Sequence, residues 1–264
     1  MPFFSIAALV GVIIFSFFGP FFYTLDPLLL DSKAILAEPS LSHWFGTDRL
    51  GRDLFVRLME GGQVSLLIGF ASALISTLVG LLYGVSAALL RGGYDKLFIV
   101  VVDLFLTFPT LFLLLTLVSY VNASIWVLVL IISITGWMGT ARLIRSESFA
   151  IASKPYIRIL HIAKVHPLKI IFKYYAPLLA PIVLVSFTFG VGGAILAESG
   201  LSFLGLGIVA PQMSWGSILS GGKEVIDIAW WVSFFPGLMI FIVTFSLMNL
   251  SNALQGRLNQ KEMR

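Results

Sequence analysis

Six long apolar runs dominate this sequence, and each approaches the length that a helix needs to cross a lipid bilayer. A spanning helix takes about 20 apolar residues, at a rise of about 1.5 Å each, to cover roughly 30 Å of hydrocarbon. Unbroken runs of this length favour helices over the alternating strands of a membrane barrel. The predicted spans are Phe3 to Tyr23, Val64 to Leu90, Leu97 to Tyr120, Ile125 to Met138, Leu178 to Leu196 and Trp230 to Leu254.

The composition supports a membrane location. The 264 residues are 58% hydrophobic and 11% charged, whereas soluble domains are roughly 45 to 50% apolar and about 25% charged. The absence of cysteine excludes disulfides and zinc–thiolate or iron–sulfur sites. The first run is longer than the roughly 7 to 15 residues of a signal-peptide core and has no basic segment before it, so we expect a retained anchor. These features predict an all-α integral membrane protein.

The distribution of Lys and Arg predicts the orientation of the spans. With the amino terminus in the cytoplasm, twelve of the 17 basic residues fall on the cytoplasmic side and five on the opposite side. Basic residues concentrate in cytoplasmic segments of membrane proteins. We therefore expect both termini in the cytoplasm.

The segment from His43 to Asp53 precedes the second span on the outer side. It contains Gly46-Thr47-Asp48 and Gly51-Arg52-Asp53. Thr47 or Asp48 is a suitable helix cap, and Leu50, Leu54, Phe55 and Leu58 follow at helical spacing, which predicts an amphipathic helix on the membrane surface. The spacing also predicts the ion pairs Asp48 with Arg52 and Asp53 with Arg57.

The basic segment from Arg142 to Ala176 is the longest on the cytoplasmic side. Proline suits the first turn of a helix, so Pro155 and Pro167 predict two short helices, Pro155 to Val165 and Pro167 to Tyr175, joined at His166. A basic loop that attracts anionic lipid is one interpretation. A docking element for a cytoplasmic partner is the other, and it accounts better for a folded helical hairpin.

The stretch from Ala197 to Gly207 predicts the lining or rim of a passage. Its glycines, Gly200, Gly205 and Gly207, permit irregular turns, which at membrane depth require protein or a water-filled cavity alongside. Glu198 and Asp103 are the two carboxylates within the predicted spans, and such groups usually face a bundle interior. The gate candidates are Asp103, Glu198, Ser199, Gly200, Gly205 and Gly207.

Together these stretches resemble the second permease subunit of the dipeptide, oligopeptide and nickel ATP-binding cassette importers. The likeness covers nearly the whole chain, and its specific parts are the His43 to Asp53 segment and the run from Glu198 through Pro211 to Ser214-Trp215-Gly216. It implies a type I importer permease of about six helices in a bacterial inner membrane. Residues 1–62 would form the first span with its outer segment, and residues 63–264 the permease core.

The resemblance also implies partners: a similar but distinct second permease, two cytoplasmic ATPases, a solute-binding protein outside and membrane lipid, with no nucleic acid. ATP and Mg would be bound by the ATPases, and no cofactor by this chain, which would not itself be an enzyme. The nearest approach to a phosphate-binding loop, Gly216 to Lys223, has Glu224 where Ser or Thr should follow. Peptides, nickel and chelated nickel remain open as solutes.

The coupling loop departs from the pattern of such importers, which carry Glu-Ala-Ala followed a few residues later by Gly. Counting back from Pro177, which matches the family's proline, Arg158-Ile159-Leu160 stands at the triplet and Lys164 at the glycine. Arg158 and Lys164 are expected instead to meet an acidic cleft on the ATPase. The predicted coupling residues are Arg158, Ile159, Leu160, His161, Lys164, His166, Pro167, Lys169 and Pro177.

Two other classes of membrane protein are alternatives for this sequence. A secondary transporter would place coupling carboxylates at the midplane and usually contains an internal repeat, which the two halves of this chain lack. An intramembrane hydrolase would pair Asp103 with Glu198, and such pairs stand within about 3 to 5 Å of each other. His43, His161 and His166 are predicted on opposite sides of the membrane, which excludes a shared metal site.

Overall fold

The computed structural model describes residues 2–262, with the backbone alone for Pro2, His161, Pro167 and residues 257–262. Most of the described part of the chain is helical, and one isolated bridge joins Thr47 and Asp53. The helices are α1 (Pro2–Phe22), α2 (Leu54–Leu90), α3 (Gly92–Thr107), α4 (Thr110–Ser119), α5 (Ile125–Ser153), α6 (Pro155–Ile162), α7 (Pro167–Ile170), α8 (Ala176–Phe203), α9 (Trp215–Gly222) and α10 (Trp231–Glu262). A π-helical turn, Ile171–Tyr175, joins α7 to α8 without a break, and a 3₁₀ turn, Lys223–Val225, follows α9.

Five helical segments are long and apolar enough to span a membrane, and α3 with α4 makes a sixth span if the bent pair is counted as one. The prediction of an all-α protein with about six spans is therefore confirmed. The third span is not the continuous helix expected over Leu97 to Tyr120, because α3 and α4 meet at 83°. Phe108 is extended at this bend and precedes Pro109, which disfavours the helical conformation in the residue before it.

The outer segment forms turns rather than a separate surface helix. The helix begins only at Leu54, with Asp53 as its N-cap, and α2 then continues for 37 residues, about 55 Å. Leu54 and Leu58 are fully buried inside the protein, whereas the predicted surface helix would have turned them to lipid. The prediction of a surface helix was wrong because the helical spacing of apolar residues does not show whether they contact lipid or other helices.

The loop predicted on the cytoplasmic side is shorter than expected. Helix α5 continues to Ser153, so Arg142 and Arg145 belong to a span and pair with Asp103 and Asp95 of α3. Of the two predicted loop helices, the first is α6 and ends earlier, at Ile162. The second is continuous with the π turn and α8, so it begins a span instead of ending a loop.

Helix α2 lies at the centre of the bundle and packs along α1, α5, α8 and α9. Small residues permit the close approach of α5: a Cβ atom added to Gly84 would lie 2.8 Å from the carbonyl oxygen of Ala141. Close contact between small residues is the usual way in which membrane helices associate, since lipid offers apolar side chains the same surroundings as the protein does.

Candidate functional sites: outer cap, buried carboxylate, central cavity and coupling loop

The outer motif forms a compact turn organised by the Asp48 carboxylate. Its Oδ1 accepts hydrogen bonds from the backbone N–H groups of Leu50 (2.8 Å) and Arg52 (3.1 Å), and its Oδ2 accepts one from the Arg52 Nε (2.7 Å). The structure thus forms the predicted Asp48–Arg52 pair. Gly51 has a φ of +72°, and a Cβ atom there would overlap the carbonyl of Asp31. Glycine is therefore required by both the backbone angle and the space.

Asp53 pairs with different residues from the one predicted. Its Oδ1 accepts from the backbone N–H groups of Phe55 (2.9 Å) and Val56 (3.1 Å), and its Oδ2 lies 2.9 Å from the Nδ1 of His43. The Tyr23 hydroxyl donates to the same Oδ2 at 3.2 Å. Burial, together with this carboxylate, raises the pKa of Tyr23 to about 12. Asp53 caps α2 and also accepts from Tyr23, which follows α1, so it links the end of α1 to the start of α2.

Arg57 turns away from Asp53 and towards the Asp48 turn. Its Nε lies 3.5 Å from Asp48, and its Nη1 donates to the carbonyl of Pro27 at 3.2 Å. The predicted Asp53–Arg57 pair was wrong because the helix starts at Leu54, so Asp53 uses its carboxylate to cap the helix. Both carboxylates and Arg57 are buried.

Thr47 connects this turn to the last span. Its hydroxyl accepts from the N–H of Ala37 at 2.8 Å, and its carbonyl accepts from the indole N–H of Trp231 at 3.1 Å. Gly46 packs so closely on Trp231 that a Cβ atom would lie 2.7 Å from the Nε1. We call residues 43–57 the outer cap, because they join the ends of α1, α2 and α10 that the predicted topology assigns to the outer side. The link to Trp231, 184 residues away, has no signal in the local sequence.

Glu198 is fully buried and is bound by serine hydroxyls from three parts of the chain. Its Oε1 accepts from Ser202 and Ser214, both at 2.6 Å, and its Oε2 accepts from Ser65 at 3.4 Å. Ser199, another gate candidate, is also buried, and its hydroxyl has no hydrogen-bond partner among the described residues. A serine hydroxyl can donate one hydrogen bond and accept others at the same time. Each serine that donates to Glu198 can therefore still accept a hydrogen bond from another group.

Each of these three serines accepts a backbone N–H from the segment that follows α8. The Ser65 hydroxyl accepts from Trp215 (3.1 Å), that of Ser202 from Ile208 (3.3 Å) and that of Ser214 from Ser217 (3.1 Å). Glu198 therefore holds α2, α8 and the segment that follows α8 together through a two-step network. We call Glu198 with Ser65, Ser202 and Ser214 the carboxylate hub.

The glycines of this stretch differ in their structural roles. Gly200 lies inside α8 and makes no irregular turn, contrary to expectation. Gly205, at a φ of +82°, ends α8: its N–H bonds to the carbonyl of Ser202, and the next N–H bonds to that of Leu201. This is the helix-terminating arrangement that glycine favours. Gly207 lies directly against Ser202, where a Cβ atom would not fit.

The two spanning carboxylates are not brought together. Asp103 forms an ion pair with Arg142 and its side chain is 55% exposed, whereas Glu198 is fully buried among serines. They share no hydrogen-bond partner among the described residues. The arrangement therefore does not support a hydrolase that uses these two groups as a pair.

A small cavity of about 240 Å³ lies between α2, α4, α5 and α8. Its exposed wall is mainly apolar, with six serine and threonine residues set among glycine and alanine, and none of its lining residues is charged. They are Ser72, Ala73, Ser76, Thr77, Thr110, Leu114, Ile132, Thr135, Gly136, Thr140, Gly190, Gly193, Ala194 and Ala197. We call it the hydroxyl-lined cavity. Sequence reasoning missed it, although Gly190, Gly193 and Ala197 recur at helical spacing.

The coupling loop presents an exposed surface on a buried anchor. Ile157 of α6 is fully buried and packs in one cluster with Ile170 and Tyr175. Arg158, Ile159, Lys164, His166, Lys169 and Pro177 are exposed, and Leu160 is partly buried. The predicted residues His161 and Pro167 lie outside the described side chains. This end of the molecule therefore offers basic and apolar groups to a partner.

The bundle, its outer cap and its exposed basic loop define a membrane subunit of a transporter. The chain belongs to the family of binding-protein-dependent transport system inner membrane components, and the match covers residues 76–262. It is a permease subunit of an ATP-binding cassette importer, as the sequence motifs predicted. Systems of this family work with a solute-binding protein and an ATPase.

Curated relatives match almost the whole chain. The oligopeptide transport system permease protein OppC of Haemophilus influenzae is 32% identical over 260 residues, which are 98% of this chain and 84% of the relative. The dipeptide transport system permease protein DppC of Bacillus subtilis is 32% identical over 257 residues, covering 96% and 79%. OppC of Bacillus subtilis is 30% identical over 253 residues, covering 96% and 83%.

Proposed function

We propose that this chain forms half of a path that conducts short peptides into the cell. The observation that carries the proposal is the hydroxyl-lined cavity, because hydroxyl groups hydrogen-bond to the amide groups that all peptides share. An uncharged wall also gives no preference for the sign of a peptide side chain, since it places neither a like nor an opposite charge against it. The peptide-transport names of the relatives support the same solute class.

Nickel fits this wall less well. Imidazole, thiolate and carboxylate groups are the protein ligands that transition metals prefer, and the lining residues are serine, threonine, glycine, alanine, leucine and isoleucine. No group of three such ligands occurs among the residues that the structure describes. A peptide is therefore the solute that we propose over free or chelated nickel.

A glycine substitution tests the path without disturbing the fold. Gly193 lines the cavity and Gly11 lies on α1, and a Cβ atom at either meets no atom within 4 Å. Gly193→Leu is expected to fill the cavity and reduce uptake of a labelled tripeptide about tenfold or more, since a blocked path conducts no solute. Gly11→Leu, also within an apolar helix, is expected to leave uptake unchanged. Equal uptake by the two variants would contradict the path.

We further propose that a second, similar permease supplies the other half of the path and that two cytoplasmic ATPases dock on α6 and the residues around it. In this scheme ATP and Mg are bound only by the ATPases, and nucleotide drives the change between states because the two states bind it with different affinity. The purified chain alone is then expected to hydrolyse no ATP. Sustained ATP hydrolysis by the chain, in preparations free of other subunits, would contradict the assignment of hydrolysis to the ATPases.

The proposed topology places both termini in the cytoplasm. The chain has no cysteine, so single-cysteine variants can be labelled without background. In right-side-out vesicles a membrane-impermeant maleimide is expected to label Ser42→Cys and to spare Lys164→Cys until the vesicles are opened. Labelling in the reverse order would overturn the orientation.

A further inference from the structure

A second cavity, of about 600 Å³, opens at the cytoplasmic ends of α2 and α5, where α6 and the π turn meet them. We call it the basic cavity. Its wall is half polar and half apolar. The lining residues are Ala88, Leu89, Arg91, Phe149, Ala152, Ser153, Arg158, Ile162 and Tyr175.

The polar part of the basic cavity offers hydrogen-bond donors. Arg91 and Arg158 form no ion pair with any residue whose side chain the structure describes. The Tyr175 side chain is 1% exposed, and its hydroxyl has no hydrogen-bond partner among those residues. A buried hydroxyl without a partner is unfavourable, so this wall is incomplete without an acceptor.

The neighbouring acidic group does not supply that acceptor. Asp95 is held by Arg145 through two hydrogen bonds of 2.5 and 2.7 Å. The Arg145 guanidinium lies 4.7 Å from the Phe149 ring centroid, and that of Arg91 lies 5.8 Å from the same centroid. The basic cavity therefore keeps a net positive charge from Arg91 and Arg158.

We infer that the basic cavity binds the phosphate group of an anionic phospholipid from the cytoplasmic leaflet. The phosphate oxygens accept hydrogen bonds from the guanidinium groups, because arginine matches phosphate with paired donors. The Tyr175 hydroxyl, which is buried in the free chain, donates to the phosphate once its side chain turns into the cavity. The apolar part of the wall, with Leu89, Phe149 and Ile162, contacts the glycerol and the first carbons of the acyl chains. Basic pockets between spanning helices at the cytoplasmic surface suit such headgroups.

A lipid at this place touches every element that links the span ends to the coupling loop. Arg158 and Ile162 belong to α6, and Tyr175 ends the π turn that leads into α8. Single π turns inside helices occur often at functional sites. The bound lipid therefore stabilises one position of α6 relative to α2 and α5. The proposal concerns lipid binding by the chain itself, and it uses the proposed topology only to name the leaflet.

The test measures lipid binding by the purified full chain, by native mass spectrometry and by thermal unfolding in detergent. The probes are dioleoyl-phosphatidylglycerol, dioleoyl-phosphatidylcholine and inorganic phosphate. We expect phosphatidylglycerol to be retained and to raise the unfolding midpoint, and the other two to do neither. Equal retention of phosphatidylcholine would overturn the proposal, and equal stabilisation by inorganic phosphate would show a site for a free anion instead of a lipid.

Matched variants separate the cavity from general basicity. Arg91→Gln with Arg158→Gln is expected to weaken phosphatidylglycerol binding about tenfold or more, because charge-assisted hydrogen bonds are lost. Lys96→Gln with Lys154→Gln removes the same charge from the same side, outside the cavity wall, and is expected to change binding less than about twofold. Equal losses in the two double variants would overturn the assignment.

Tyr175→Phe distinguishes a ligand site from a packing role. It removes a hydroxyl that has no protein partner among the described residues, so the variant without lipid is expected to be at least as stable as the wild type. The rise in midpoint caused by phosphatidylglycerol is expected to shrink. An unchanged rise would show that Tyr175 does not contact the headgroup. All of these measurements use the chain without the ATPases, because Arg158 is also expected to meet them.

Discussion

The two ends of this bundle differ in the burial and hydrogen bonding of their polar side chains. At the outer end Thr47, Asp48, Asp53 and Glu198 are all buried, and each is held by several hydrogen bonds. At the opposite end, which the proposed topology assigns to the cytoplasm, the residues of the coupling loop are mostly exposed, and α6 is anchored by the buried Ile157. The outer end is stabilised within the chain itself. The cytoplasmic end keeps its charged and apolar groups available for partners.

Removing the carboxylate hub is expected to have the largest effect on stability. Glu198→Ala leaves three buried serine hydroxyls without their acceptor, which costs about 3 kcal/mol or more. The free energy of unfolding in detergent, or the thermal midpoint, measures the loss. Glu224→Ala is the control, because its side chain is 70% exposed and its ion pair with Arg49 contributes about 0 to 1 kcal/mol. Equal losses of unfolding free energy in the two variants would show that the buried carboxylate stabilises the fold no more than the exposed one.

Two glycines with positive φ compare the ends directly. Gly51→Ala at the outer end combines a left-handed backbone with overlap of the Asp31 carbonyl. Gly92→Ala at the cytoplasmic end has the backbone cost alone, about 1 to 2 kcal/mol, because a Cβ atom there meets open space. We expect the first variant to lower the unfolding midpoint clearly more than the second. The reverse order would show that the outer cap is not tightly packed.

The cap of α2 is expected to contribute less than the hub. Asp53→Ala removes the acceptor for two backbone N–H groups and should cost about 1 to 2 kcal/mol. Asp53→Asn keeps a capping oxygen, so its unfolding midpoint is expected to lie between those of Asp53→Ala and the wild type. An Asn variant as unstable as the Ala variant would assign the effect to His43 and Tyr23 instead of the cap.

Reversing charges on the coupling loop is expected to have the smallest effect on stability and a large one on assembly. Arg158→Glu with Lys164→Glu should change the free energy of unfolding by less than about 0.5 kcal/mol, because both side chains are exposed. Copurification of the ATPase should be lost if these residues meet an acidic cleft. Lys33→Glu with Lys223→Glu, on the outer side, is the matched control. Unchanged assembly and transport would refute the charge contact.

Much of the fold was predictable because spanning helices leave a strong pattern in the sequence. The apolar runs predicted the spans, and Pro155 predicted the start of α6. Local pairing also worked where both partners lie in one turn, as for Asp48 and Arg52. These features depend on neighbouring residues only.

Most of the errors involve distant partners. Arg142 and Arg145 suggested a loop, yet they remain in α5 because Asp103 and Asp95 of another helix pair with them. Glu198 was recognised as unusual, but its donors Ser65 and Ser214 lie 133 and 16 residues away. The break before Pro109 was the exception, since proline is a local signal for it.

Reconstituted transport tests the central claim most directly. Proteoliposomes would contain this chain with its second permease and the ATPases, and the solute-binding protein would be added outside with a labelled tripeptide. We predict uptake that requires ATP inside the vesicles and every one of these components, and that ⁶³Ni²⁺ does not replace the peptide. Peptide uptake by this chain alone without ATP, or ATP-driven uptake of nickel in place of peptide, would contradict the account.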